Sequence, residues 1–66
     1  MTKKDINVLN LKKNQYIEVT YYENNIKSTI RGLFKGYNEL ILQIKQLEND
    51  TIDIFLISSI TIIKKI

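Results

Sequence analysis

Gln15-Tyr16-Ile17-Glu18-Val19-Thr20-Tyr21-Tyr22, followed after Glu23-Asn24-Asn25 by Ile26-Lys27-Ser28-Thr29-Ile30-Arg31-Gly32-Leu33-Phe34-Lys35, decides the fold. In the first stretch Ile17, Val19 and Tyr21 alternate with Glu18, Thr20 and Tyr22. A period of two with β-branched and aromatic residues is the mark of a half-buried strand. The second stretch places Ile26, Ser28, Ile30, Gly32 and Phe34 on one face, and Lys27, Thr29, Arg31, Leu33 and Lys35 on the other. Between them Asn24 and Asn25 form a tight turn, because asparagine tolerates positive φ. Gly32 inside the strand predicts a sharp bend, a bulge or a close backbone approach. Gly36 is expected to help end this strand.

The same alternation continues downstream. Leu40, Leu42 and Ile44 alternate with Ile41, Gln43 and Lys45; after the turn Glu48-Asn49-Asp50, Ile52, Ile54 and Leu56 oppose Asp53 and Phe55. Ser58-Ser59 reads as a one-turn 3₁₀ link, after which Ile60, Ile62 and Lys64 alternate with Thr61 and Ile63. Five short strands with turn signals and no linker point to one strongly bent sheet. The expected fold is therefore mostly β: a small five-stranded antiparallel barrel over residues 14–66, with its bend at Gly32. Residues 1–13 form a separate N-terminal segment, a short helix or an arm. Thr2 and Asp5 stand at capping-box spacing, with Ile6, Leu9 and Val8 able to line one helical face.

A chain of 66 residues buries only about 60% of its unfolded surface and is marginal as a domain. With no Cys and no His, neither disulfides nor the commonest metal ligands reinforce it, so tight packing or self-association must. There is no long apolar run and no signal peptide, so a cytoplasmic protein is expected. Thirteen Ile, nine Lys and seven Asn stand beside no Ala, Pro or Trp. All three abundant residues have AT-rich codons, which suggests a low-GC bacterium, its phage or a mobile element. The net charge of +3 points toward an anionic partner, but codon bias toward lysine accounts for part of it.

The order of elements resembles the Sm-like small barrels of the Hfq and LSm type, over roughly residues 9–66. Gly32-Leu33-Phe34 and Asn38 fall at the spacings of the first Sm motif, with Phe where the family has Leu and Asn where it has Asp. The Asn that follows the motif Asp has no counterpart, and Ile60-Thr61-Ile62-Ile63 stands where the family carries Ile-Arg-Gly. A second set, Ile17 to Tyr22 with Ile30-Arg31-Gly32, is similar to the YolD-like barrels of bacteria and phages. The first resemblance implies RNA binding and ring assembly through strand edges. The second implies an accessory role toward another protein.

Enzyme chemistry is not expected. No Ser sits beside a base, and general acid–base work would fall on solvated carboxylates or lysines. Glu48, Asp50 and Asp53 lack the ordered spacing of a calcium loop, so neither metal nor other cofactor is expected. A non-enzymatic binding module remains. Lys27, Arg31, Lys35, Lys45 and Lys64, with Tyr37 and Asn38, form the expected nucleic-acid face, where Tyr16, Tyr22 and Tyr37 could stack bases. Leu33, Ile41, Leu47, Phe55, Ile57 and Ile63 fall opposite the main apolar set. Phe55, Ile57, Ile60, Ile62 and Ile63 are accordingly the expected interface between copies. The alternative is a module that binds a host protein.

Overall fold

A computed structural model describes residues 1–66. A short helix α1 (Lys3–Val8) precedes strands β1 (Tyr16–Glu23), β2 (Ile26–Tyr37), β3 (Ile41–Lys45), β4 (Ile52–Leu56) and β5 (Ile60–Lys65), with a 3₁₀ turn at Ile57–Ser59. All pairings are antiparallel, in the sheet order β4-β3-β2-β1-β5. Asn24 and Asn25 both hold positive φ in the β1–β2 turn, the geometry that matches the twist of the two strands it joins.

The sheet curls but does not close. Tyr21 of β1 and Phe55 of β4 bring their ring centroids within 4.7 Å, although β2 and β3 lie between those strands. In a flat sheet the two backbones would stand about 14 Å apart, three strand spacings. The expected barrel therefore gives way to an open, strongly bent sheet. Its opposed walls meet through side chains, and β4 and β5 remain unpaired with each other.

Two bulges set which residues face inward. β2 runs through Gly36 to Tyr37, with a register shift between Phe34 and Gly36. Gly36 holds φ +155°, a conformation that side chains disfavour, so it kinks β2 without ending it. On β5 the pairing with β1 shifts so that Thr20 faces Ile62 and Tyr21 faces Ile60. The extra residue, Thr61, breaks the period of two, and both Ile60 and Ile63 turn into the core. That core comprises Ile6, Ile17, Val19, Phe34, Leu42, Ile44, Ile57, Ile60 and Ile63.

β4 presents the face opposite to the one expected. Residues directly opposed on paired strands share a side of the sheet, and β4 sets Phe55 against Leu42. Buried Leu42 thus carries Phe55 inward, and Ile52, Ile54 and Leu56 point to solvent. Asp53 shares the inner side, half-buried, and accepts a hydrogen bond from the Gln46 side-chain amide.

The N-terminal helix belongs to this same core. Thr2 and Asp5 form a reciprocal capping box, Tyr37 donates to Asn7 Oδ1 at 2.9 Å, and Met1 N donates to the Ile60 carbonyl at 2.9 Å. The Thr2 N–H and hydroxyl hold the Asp5 carboxyl below the ordinary value of 3.8. A carboxylate with a depressed folded pKa contributes stability above its unfolded pKa and loses it as pH falls through the folded one. The helix cap is therefore expected to loosen below pH 3.8. NMR titration of the Thr2 and Asp5 amide shifts should report a midpoint below that value, absent in Asp5→Asn. A midpoint at the free-aspartate value would contradict the capping box.

Candidate functional site

The outer face of the sheet collects the basic residues, and its register decides how free they are. β1 pairs Glu18 with Arg31 of β2 on one side and with Lys64 of β5 on the other. Arg31 lies 3.5 Å from the Glu18 carboxylate. Lys45 is bound to Asp50 at 2.7 Å; that ammonium holds the Asp50 carboxyl below 3.8 through its hydrogen bond and its charge. The Lys35 ammonium donates to the Asn14 side-chain oxygen. Lys27 and Lys64 are exposed and form no ion pair.

Tyr37 and Asn38 are occupied by structural work. Tyr37 is half-buried, with its ring 5.9 Å from that of Phe34. Asn38 Oδ1 accepts from the N–H groups of Leu40 and Ile41 at 2.8 and 2.9 Å, holding the β2–β3 turn. They border a cleft of only about 150 Å³ with Gly36, Ile41 and Gln43. The seven residues expected to contact nucleic acid are thus spread over the outer face and the rim of one turn. Glu18 lies in the midst of the charged row.

Of the five residues assigned to self-association, Ile57, Ile60 and Ile63 are buried in the chain's own core, and Phe55 packs against Tyr21. Ile62 alone is exposed, at 44%. The bulge at Thr61 and the inverted face of β4 account for the difference. What solvent meets instead is the outer row of β4: Ile52, Ile54 and Leu56, exposed by 49, 60 and 57%. β4 is an edge strand, paired only with β3.

Along that edge runs a cleft of about 480 Å³. Asp53, Ile54, Phe55 and Leu56 form one wall, and Tyr21, Tyr22, Glu23 and Ile30 the other; Gln46 and Ser59 complete the lining. This is the open seam of the curled sheet. Its residues come from five separate segments, so no local pattern in the sequence announces it. The one available signal was the choice of face on β4, where three aliphatics against Asp53 and Phe55 favoured the wrong side. No family model, curated protein or solved structure matches this chain.

Proposed function

We propose that this chain is a non-enzymatic protein-interaction module that takes hold of its partner along the β4 edge. The observation that supports this is the row Ile52, Ile54 and Leu56, aliphatic and solvent-facing on a strand with one unpaired edge. Contiguous exposed apolar surface marks interfaces, and a free edge offers backbone donors and acceptors to an incoming strand. The Sm-like reading, with RNA as ligand and copies joined edge to edge, draws on the same strand order and on the second free edge at β5. It ranks lower because, of the five basic residues expected to contact nucleic acid, Arg31, Lys35 and Lys45 already have partners, which leaves Lys27 and Lys64 among them for phosphate contacts.

Ile54→Lys tests the proposal. The side chain faces solvent, so stability should change by no more than about 0.5 kcal/mol, roughly 2–4 °C in Tm for a domain of this size. A photoreactive phenylalanine analogue in place of Ser58 should form protein adducts in extract of the native host, and Ile54→Lys should remove them. Adducts that survive Ile54→Lys but vanish with Lys27→Glu and Lys64→Glu would move the function to the basic face.

A further inference from the structure

The geometry points to the occupant of the seam: an extended segment of a partner protein carrying one Lys or Arg within a short aliphatic run. This rests on the proposal that β4 is the docking edge and adds the chemistry of what docks.

Charge is the first argument. The chain carries net +3, yet none of the ten residues lining the seam is Lys or Arg, and two of them, Glu23 and Asp53, are acids. Both ion pairs of the molecule lie elsewhere, at Arg31–Glu18 and Lys45–Asp50, so neither seam carboxylate is neutralised by a cation. Asp53 is half-buried and held by the Gln46 amide. A fixed carboxylate beside an apolar wall favours a cation and repels a phosphate backbone.

Shape is the second argument. β4 has five residues, about 17 Å of strand, and a volume near 480 Å³ is within the range of small ligand sites. An incoming strand paired to β4 would alternate its side chains as β4 does. Those on the inner side would meet Asp53 and then Phe55; those on the outer side would lie beside Ile52, Ile54 and Leu56. The pattern demanded is a cation at one inner position and aliphatic side chains at the others. Tyr21 and Tyr22 add ring faces that favour Lys or Arg over a neutral polar residue.

Two fluorescein-labelled octapeptides of valine and threonine, differing only in a central lysine or glutamate, supply the probe. Fluorescence anisotropy should show the lysine peptide binding at least about tenfold tighter than the glutamate one, since like charges across an interface are rejected. Amide shift changes should concentrate in β4 and Tyr21–Glu23. Glu23→Gln with Asp53→Asn should weaken binding by roughly three- to tenfold, the scale of two partly solvated ion pairs; the asparagine oxygen still accepts from Gln46, so folding is kept. Equal affinity for both peptides, or unchanged affinity in the double variant, overturns the charge assignment. No binding of either peptide while Ile54→Lys still removes host adducts overturns the seam occupant but leaves the docking edge standing. A dimer in light scattering that excludes the lysine peptide assigns the seam to a second copy, and competition by a single-stranded RNA oligomer assigns it to nucleic acid; either overturns the inference.

Discussion

Gly32→Ala should leave the chain close to or beyond its unfolding threshold at 25 °C. Gly32 lies mid-strand on β2, buried, with Ile17 of β1 directly opposite. A Cβ at this position would overlap the Ile44 Cγ2 methyl and sit 2.6 Å from the Lys45 carbonyl oxygen. The methyl belongs to a fully buried core side chain, and the carbonyl to a residue paired with Leu33 in the β2–β3 ladder. Neither has room to yield. Overpacking of this kind costs about 1–3 kcal/mol and more where backbone must move. A small core without disulfide or metal supplies only about 3–5 kcal/mol in total. Urea denaturation followed by circular dichroism should therefore show a loss of at least about 2 kcal/mol, or no folded baseline. Gly36→Ala is the internal comparison: its Cβ would meet nothing within 4 Å, and only the φ of +155° opposes it. Backbone strain alone costs about 1–3 kcal/mol, so its midpoint should fall less. A wild-type midpoint for Gly32→Ala would show that β3 does not press as closely on Gly32.

The close approach of β3 at Gly32 was legible because a glycine amid alternating side chains weakens a strand unless the backbone bends there or another segment comes close; the irregularity of β2 itself lies further on, between Phe34 and Gly36. The strand assignments of β1, β2 and β3 were legible for a similar reason: each has one clearly apolar set, and the inward positions Ile17, Val19, Phe34, Leu42 and Ile44 follow from it. β4 and β5 offered no such contrast. On β4 both sets are apolar apart from Asp53, and the choice between them is made by the pairing of Leu42 with Phe55, a non-local fact. On β5 one bulged residue places Ile60 and Ile63 together, three apart, where a strict period of two separates them. The candidate site inherits this. Its cationic row could be read residue by residue. The partners that occupy Arg31 and Lys45 are Glu18 across one ladder and Asp50 in a turn, so their pairing depends on register and turn geometry as well as on residue identity. The seam requires Tyr21, Ile30, Asp53 and Ser59 to meet, and only the curl of the sheet brings them together.

Ile6→Ala should cost about 2–4 kcal/mol, nearly the whole stability of the domain, although Ile6 lies in the segment that the alternation of the strands leaves out. The helix that carries it has six residues, too few to persist alone in water. Its existence must rest on docking. Ile6 is 1% exposed and one of nine residues in the core, whereas Val8, two positions on, is 73% exposed. Val8→Ala should therefore stay within about 0.5 kcal/mol of wild type. The Ile6 variant has two ways to fail, and they are distinguishable. If the helix stays docked, the cavity is felt by the whole core and the cooperative unfolding midpoint falls. If it undocks, the amides of α1 lose hydrogen-exchange protection while the five strands keep theirs, since local opening needs less free energy than global unfolding. In the second case the core beneath the helix is uncovered, and Met1 no longer donates to Ile60 nor Tyr37 to Asn7. Equal midpoints and equal protection for Ile6→Ala and Val8→Ala would make residues 1–13 an arm laid on a sheet that is stable without it. A loss confined to Ile6→Ala makes the helix the lid of the core, and joins residues 1–13 to the same cooperative unit as the five strands.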